Sequence, residues 1–388
     1  MAFRKSNVPG EDIRRAMEMP EKRRQLIAQT PAEPLPATYA VNELAKALHP
    51  GFVKAELVCK EPAGSDSCRF VFRSLREDGR FPYFRAGQFI TLSSRVGGSF
   101  LTRPYSIASS PKEALEGRLE VIVQRKGIFS SYLIDEADAG DRFIVGEPSG
   151  DFCHDDLRDC GHILAIAGGS GITPFLSMMK AIREGSEDFR LTLLYGVRTR
   201  KQILFDPEDF TDDRIRIEIV LSDEEAEGYR HGFISAEILN EFAGEDTSVF
   251  LCGPDAMYRF VRGELEGLGF PAERIRQERN SVGNRQIGEP EVFKLTVRIR
   301  DDVRTIGARS DETLITALER AGIPAVVRCR SGVCGFCHSR LVSGECYIAP
   351  ENDFRRAADR KFGYIHPCSA YPLTDLEIEI PVFDAEEA

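Results

Sequence analysis

The chain has 388 residues and a formal net charge of −11, from 51 Lys and Arg against 62 Asp and Glu. This acidic balance argues against nucleic-acid binding along the whole chain, because such proteins carry basic surfaces. At roughly 150 residues per domain, the length predicts two or three domains.

The first residues lack the apolar core of a secretory signal, and no apolar run is long enough to span a bilayer. We therefore expect a cytoplasmic protein with no transmembrane segment. Ten cysteines are too few for a disulfide scaffold, and in a reducing compartment they favour metal binding or catalysis.

Residues 1–50 are predicted to form a helical N-terminal extension. A polar helix fits residues 11–29, a proline-rich stretch runs from Pro31 to Pro36, and a second helix fits Val41 to Leu48. We expect this extension to wrap the first domain as an arm. Docking to a partner protein is the alternative.

Residues 51–155 are predicted to form an antiparallel β-barrel, because short alternating runs such as SCRFVFRSL and RLEVIVQR are separated by turn residues. In residues 156–280, strands such as HILAIAGG and LTLLYGV alternate with helices, which predicts an α/β domain with a parallel sheet. Residues 281–291 are polar and contain glycine, which is typical of a linker. Residues 292–388 form a third unit that begins with FKLTVRIRD.

The third unit contains the most specific motif, a C-x4-C-x2-C spacing followed by a distant fourth cysteine. The predicted metal ligands are Cys329, Cys334, Cys337 and Cys368. This is the ligand spacing of plant-type [2Fe–2S] clusters, and small residues in CRSGVCGFC let backbone amides turn towards the sulfurs. Zinc is the alternative, although its sites usually combine two close cysteine pairs. Cys346 has the wrong spacing, and His338 and His366 are expected to flank the ligands rather than join them. Arg328 and Arg330 flank Cys329, and their positive charge is expected to raise the cluster potential.

Three further motifs lie in the first two units. Arg103-Pro104-Tyr105-Ser106 follows Gly87-Gln88-Phe89 by one barrel strand. Gly168-Gly169-Ser170-Gly171-Ile172-Thr173-Pro174 connects a strand to a helix, where a pyrophosphate can approach the backbone. Leu251-Cys252-Gly253-Pro254 ends a later strand.

With the cysteine pattern, these motifs make residues 52–384 resemble the ferredoxin–NADP reductase superfamily. Residues 293–384 resemble a plant-type ferredoxin domain, which implies an α+β (β-grasp) fold. The class that includes phthalate dioxygenase reductase and phenylacetyl-CoA epoxidase reductase has this domain order, with the flavin and nicotinamide domains first and the ferredoxin domain last. The resemblance leaves the first 50 residues unexplained.

The resemblance implies a flavin site in the barrel. Arg103 would neutralise a flavin phosphate, Pro104 belongs to the same motif, Tyr105 would lie against the isoalloxazine, and Ser106 would hydrogen-bond near N5.

In the same family, a Gly-x-x-Ser stretch opens a helix whose first amides hold the flavin phosphate. The corresponding residues are Gly127, Ser130 and Ser131. FAD is favoured over FMN, since R-P-Y-S-I is typical of FAD-containing members.

The resemblance also implies a nicotinamide site formed by Gly168, Gly169, Gly171, Thr173, Pro174, Cys252, Gly253 and Pro254. Cys252 would align the nicotinamide C4 for hydride transfer. Glu278 resembles an acidic residue that some members place near the flavin. The predicted catalytic residues are therefore Ser106, Cys252 and Glu278.

NADH is favoured over NADPH because an acidic run, which includes Asp223, follows the strand IRIEIVLS. Asp223 could bind a free ribose 2′-hydroxyl, and its acidic neighbours would repel a 2′-phosphate. The cations Arg198, Arg200 and Lys201 follow the preceding strand and favour NADPH instead.

These inferences predict an NAD(P)H-dependent iron–sulfur flavoprotein reductase. A hydride carries two electrons and the cluster accepts one, so a flavin must lie between them. The electron-accepting partner would be a separate redox protein, such as an oxygenase or another metalloenzyme. The alternative is an electron-transfer subunit that is a stable part of a larger redox complex.

Overall fold

The computed structural model describes residues 10–30, 39–278 and 282–381. Two helices lie in the N-terminal extension, α1 (Gly10–Gln29) and α2 (Ala40–Leu48), as the sequence predicts. The proline-rich stretch from Pro31 to Pro36 lies outside the described residues. In the described ranges, no helix is both long and apolar enough to cross a membrane.

An antiparallel sheet follows. Its elements are β1 (Phe52–Ala63), β2 (Ser67–Ser74), β3 (Phe89–Val96), β4 (Ser99–Ser106), α3 (Pro111–Leu115), β5 (Arg118–Gln124), α4 (Ile128–Asp135) and β6 (Arg142–Gly146). The strand order is β4-β3-β6-β1-β2-β5. An isolated bridge between Ile107 and Val121 joins the residue after β4 to β5, so the sheet curls on itself around an apolar interior. The barrel prediction is confirmed.

A parallel sheet comes next. Its elements are β7 (His162–Gly168), α5 (Thr173–Arg183), β8 (Arg190–Val197), β9 (Ile215–Leu221), β10 (Arg230–His231), α6 (Ala236–Phe242), β11 (Thr247–Cys252), α7 (Asp255–Gly267) and β12 (Ile275–Gln277). The order β10-β9-β8-β7-β11-β12 reverses direction at β7. Such a switch point opens a ligand crevice at the carboxyl ends of the strands. Cys252 lies opposite Ala167 there, which brings the C-G-P motif beside the glycine turn.

The curled and parallel sheets share one apolar core. The Phe152 ring lies 5.7 Å from that of Phe175 and 5.2 Å from that of Phe250, measured between centroids. Beside them, Ser177 Oγ donates a 2.7 Å hydrogen bond to the carbonyl of Ser109. An apolar cluster therefore crosses from one unit to the other.

The C-terminal unit is α+β, as expected. Its elements are β13 (Val292–Ile299), β14 (Asp302–Arg309), α8 (Leu314–Arg320), β15 (Ser339–Ser343), β16 (Cys346–Ile348), α9 (Ala357–Lys361), β17 (Tyr364–Ile365), β18 (Ala370–Pro372) and β19 (Leu376–Glu379). A five-stranded sheet has the order β14-β13-β19-β15-β17, and β16 pairs with β18. Leu314 and Leu318 of α8 are fully buried in its core. The described residues 282–291 contain no helix or strand.

Candidate active site

One cleft of about 370 Å³ brings together motifs from all three units. Its lining includes Arg103, Pro104, Tyr105, Ser106, Gly127, Ser130, Thr173, Glu278 and Cys329. The volume lies in the usual range for ligand pockets. Flavin-motif residues, the glycine turn and one cluster cysteine therefore face the same space.

Aromatic rings form one wall of this cleft. Tyr105 and Phe129 stack at 6.4 Å between centroids, with an interplanar angle of 28°. Burial raises the pKa of the Tyr105 phenol above its usual range. The wall is thus flat, apolar and uncharged, which suits a planar heteroaromatic ring.

Positive groups supply the other end of the cleft. Arg103 and Lys126 line it, and α4 begins there directly after Gly127. The helix N-terminus and Lys126 favour a bound phosphate, and Arg103 can assist through the guanidinium nitrogens that are not bonded to Glu319. Ser130 Oγ accepts 2.9 Å hydrogen bonds from the amides of Lys126 and Gly127, so it also caps the turn. Ser131 is half-buried and is not among the lining residues.

A second cleft, of about 340 Å³, adjoins the first. The two share the residues Ser106, Gln124, Lys126 and Ser170. The predicted nicotinamide residues that line the second cleft are Gly168, Gly169, Gly171, Cys252, Gly253 and Pro254. Pro174 is instead buried in the first turn of α5. Ser106 therefore lies where the two clefts join.

Two glycines allow close backbone approach at this junction. A Cβ atom on Gly171 would lie 2.2 Å from the carbonyl oxygen of Cys252, and one on Gly168 would lie 2.6 Å from Met257 Sδ. Neither position has room for a side chain. The glycine turn is therefore fitted directly against the C-G-P segment.

Tyr258 fixes the C-G-P segment, a role that we did not predict. Its hydroxyl accepts a 3.0 Å hydrogen bond from the amide of Gly253 and donates a 2.8 Å bond to the carbonyl of Glu278. Burial, then the charge of Glu278, raises the pKa of the Cys252 thiol well above its usual value. The Cys252 thiol is therefore neutral and is not a thiolate nucleophile.

Glu278 has the clearest unsatisfied polar atom in the cleft. Its Oε2 is buried and has no hydrogen-bond partner among the described residues. Burial raises its pKa to about 8, with smaller contributions from Asp151 and Cys329. A buried carboxyl without a partner fits a site that a bound cofactor completes.

At the predicted binding site for the adenosine of the nicotinamide cofactor, the positive charge of Arg200 is compensated by Glu224. Arg200 donates to Glu224 through Nε at 2.6 Å and through its backbone amide at 2.9 Å. Arg198 lines the second cleft, whereas Asp223 does not. Asp223 is nevertheless close to it, because the Asp223 amide donates a 3.0 Å hydrogen bond to the Arg198 carbonyl. One of the cations that favoured NADPH is thus paired with a carboxylate.

Three of the four predicted cluster ligands are buried, and Cys334 is exposed. The amides of Ser331 and Cys334 donate to Cys329 Sγ at 3.5 and 3.4 Å, and that of Phe336 donates to Cys334 Sγ at 3.5 Å. The chain turns through left-handed conformations at Arg330, Gly332 and Gly335. The loop therefore directs amides to the sulfurs, as the sequence predicts.

The four thiols are close together and form no disulfide. Cys329 lies beside Cys334 and Cys368, and Cys337 lies beside Cys368. Ser331 Oγ beside them is buried without a partner among the described residues. No group of three or more His, Cys, Asp or Glu in the described ranges is arranged around a single metal ion. Four neighbouring thiols with amides directed at their sulfurs fit a [2Fe–2S] cluster.

The alternative ligands have other partners. His338 Nε2 donates to Asp359 at 2.9 Å, and His366 Nδ1 donates to the carbonyl of Gly332 at 2.7 Å. Cys346 lies on β16, opposite Pro372. His366 is therefore bonded to the cluster loop, and His338 is bonded to α9.

Family models match three segments of the chain. They describe an oxidoreductase FAD-binding domain at residues 54–154, an oxidoreductase NAD-binding domain at 165–263 and a 2Fe-2S iron-sulfur cluster binding domain at 297–373. These descriptions support the FAD, NADH and [2Fe–2S] predictions.

Curated relatives resemble nearly the whole molecule. One component of the 1,2-phenylacetyl-CoA epoxidase from Escherichia coli is 32% identical, over 78% of this chain and 89% of that protein. The ferredoxin reductase component of 3-ketosteroid-9-alpha-monooxygenase from Mycobacterium tuberculosis is 30% identical, over 82% and 89%. The solved structure of phthalate dioxygenase reductase superposes with a TM-score of 0.64 at 24% identity, covering 86% of this chain and 98% of that one.

Proposed function

Because the chain belongs to the ferredoxin–NADP reductase class that carries a C-terminal 2Fe-2S domain, we propose that it supplies electrons to a separate oxygenase or other metalloenzyme component. The protein is an NAD(P)H oxidoreductase that passes electrons from NADH through FAD and a [2Fe–2S] cluster. The epoxidase and monooxygenase names of its relatives support an oxygenase as the acceptor.

The observation that carries this proposal is the shared cleft. Ser106 of the barrel, Thr173 of the parallel sheet and Cys329 of the cluster loop line a single space. A flavin in that space would have the nicotinamide cleft on one side and a cluster ligand on the other. Bound FAD supplies the conversion between a two-electron hydride and single electrons.

The side chains around the cleft have distinct proposed roles. Arg103 and the start of α4 hold phosphate, while Tyr105 packs against the ring. Ser106 holds a hydrogen bond at the junction of the two clefts, and Cys252 positions the nicotinamide by contact. Glu278, which is protonated at neutral pH, can donate a hydrogen bond into the cleft.

Acidic residues favour NADH at the adenosine end. Asp223 would accept a hydrogen bond from a free 2′-hydroxyl, while Glu224 occupies Arg200. A 2′-phosphate would have to compete with that carboxylate for the guanidinium, which disfavours NADPH.

We propose the domain boundaries 51–155, 156–280 and 292–388, with the linker at 281–291; residues 279–281 and 382–388 lie outside the described part of the chain. The second sheet ends with β12 and the third begins with β13, which supports a linker between them. We also propose a cytoplasmic location, where reduced cysteines can assemble a cluster.

The decisive experiment separates the two electron-transfer steps. Cys334→Ser is expected to abolish NADH-dependent reduction of a one-electron protein acceptor such as cytochrome c, because a cluster ligand is lost. NADH-dependent reduction of ferricyanide at the flavin should continue. Cys346→Ser is the matched control in the same domain and should retain both activities.

Loss of both activities in Cys334→Ser would contradict the separate roles of flavin and cluster. Full cytochrome c reduction without the cluster's visible absorbance would contradict the cluster as the exit point.

The alternative, a stable part of a larger complex, is supported by the epoxidase relative, whose name describes it as one subunit of that enzyme. Size-exclusion chromatography of the protein from its native cells distinguishes the two forms. A free reductase elutes at the size of its own chain, whereas a stably bound one elutes together with its partners.

A further inference from the structure

A single carboxylate connects the flavin-binding strand to the cluster loop. Glu319, on α8, accepts a 2.9 Å hydrogen bond from Nη1 of Arg103 and a 2.8 Å bond from Nη1 of Arg330. Both bonds reach the same oxygen, Oε1. Arg103 belongs to β4, 216 residues earlier in the chain.

The three charges are largely removed from solvent. The side chains of Glu319 and Arg330 are 7% and 9% exposed, and that of Arg103 is 24% exposed. Removing one partner from such a group leaves the remaining charges buried and uncompensated, which is strongly destabilising. Without Glu319, two guanidinium groups would face each other at short range.

One arginine belongs to the flavin site and the other to the cluster loop. Arg103 lines the flavin cleft. Arg330 directly follows the predicted cluster ligand Cys329, which also reaches that cleft. Arg330 also has a left-handed backbone, with φ of 54°, and its carbonyl accepts a 2.9 Å hydrogen bond from the amide of Val282 in the linker. The orientation of the cluster loop is therefore fixed partly through this one residue.

Glu319 itself lines neither cofactor cleft, and it acts through its neighbours. Helix α8 contacts β4, and the salt bridges lie where the two elements meet. A second ion pair between the same units, Arg328 to Glu147 at 3.0 Å, is more exposed and therefore weaker.

We propose that Glu319 is a positioning residue for flavin-to-cluster electron transfer: it holds the cluster loop against the flavin-binding strand by pairing with Arg103 and Arg330. This role rests on the proposed function. It predicts that neutralising Glu319 separates the loop from the strand without affecting the reaction of NADH with the flavin.

The test uses Glu319→Gln in the flavin- and cluster-loaded protein. Glutamine keeps the side-chain shape but leaves two arginines uncompensated, so we expect flavin-to-cluster transfer in stopped-flow experiments to slow roughly tenfold or more. NADH-dependent ferricyanide reduction should stay unchanged. Hydrogen–deuterium exchange should increase in both β4 and α8. Glu319→Asp, which keeps the charge, should recover part of the transfer rate.

Glu312→Gln is the matched control. Glu312 is also buried and bound to an arginine, Arg320 at 2.6 Å, but both residues lie within the C-terminal unit. It should leave the transfer rate and the exchange of β4 unchanged.

Unchanged transfer and exchange in Glu319→Gln would overturn the positioning role. Equal losses of ferricyanide and cluster reduction would also overturn it, since the residue would then serve general folding. If the wild-type protein reduced ferricyanide with NADH but never its own cluster, the proposed function itself would fail instead.

Discussion

The flavin unit contacts its two neighbours through different kinds of interface. Towards the nicotinamide unit it shares a continuous apolar core, in which Phe152 packs on Phe175 and Phe250. Towards the cluster unit, ion pairs connect the two, including Arg103 with Glu319 and Arg328 with Glu147. Both interfaces contain ion pairs, since Lys180 of the nicotinamide unit also pairs with Glu120 at 3.1 Å, but among the described residues only the first interface adds an apolar core.

The difference matches what each step requires. Hydride transfer needs two rings in contact, and an ångström of misplacement is costly, so a close-packed and rigid junction is suited to it. Electron transfer does not require the two centres to touch. A salt-sensitive contact between the flavin and cluster units is therefore sufficient for this step.

The strongest test of this comparison is Gly171→Ala, which attacks the packed side. The new Cβ atom would lie 2.2 Å from the carbonyl oxygen of Cys252, so the glycine turn would have to move away from the C-G-P segment. We expect NADH-dependent flavin reduction to fall about 100-fold, the cost of a misplaced substrate. Stopped-flow absorbance measures this step.

Gly263→Ala is the control, because a methyl group there meets no atom within 4 Å. It should react at the wild-type rate. A fully active Gly171→Ala variant with normal flavin and cluster spectra would show that the junction is not sterically fixed.

A second test concerns Glu278, beside both transfer steps. Its raised pKa of about 8 means that the folded protein holds it neutral at pH 7. If its proton is needed, flavin reduction should fall about tenfold per pH unit above that pKa. Glu278→Gln should remove this decline, whereas the exposed Glu266→Gln should keep it.

Stability gives an independent measurement. A carboxyl with a raised pKa stabilises the fold at low pH, and this contribution is lost as pH rises towards about 8. The wild type should therefore lose stability relative to Glu278→Gln as the pH rises from 5 to 9, measured as the free energy of unfolding of each protein. An equal difference at both pH values would contradict the buried neutral carboxyl.

The smallest expected effect is that of salt on the ionic side. Raising ionic strength from about 0.1 to 1 M shortens the screening length from about 10 to 3 Å. Flavin-to-cluster transfer should slow roughly two- to fivefold, as for a partly exposed ion pair, and flavin reduction at saturating NADH should not. Glu147→Gln should flatten the salt dependence. Equal sensitivity of both steps would remove the distinction between the interfaces.

Contiguous motifs explain what could be predicted from sequence. The cysteine loop and the glycine turn each lie within a few residues, so their chemistry can be inferred from spacing alone. Strand β4 is different, because Arg103 and Pro104 interrupt its alternation and only pairing with β3 defines it. Glu278 required a resemblance, since a lone glutamate gives no local signal of burial.

Contacts between distant segments could not be predicted. Arg330 was expected to add positive charge beside the cluster, but Glu319 compensates that charge across the fold. Arg200 was interpreted as a phosphate ligand for NADPH, yet it is bound to Glu224. In both cases the sequence shows a cation, and only tertiary structure brings its counterion to it.

The exposure of Cys334 gives the cluster loop an inner and an outer edge. Cys329 faces the flavin cleft, while Cys334 and its half-exposed neighbour Val333 face solvent. Electrons would enter at one edge and leave at the other, where dioxygen also has access. We expect a docked acceptor to shield this edge from dioxygen as well as to accept the electrons, so that superoxide formation is greatest when the reductase has no acceptor bound.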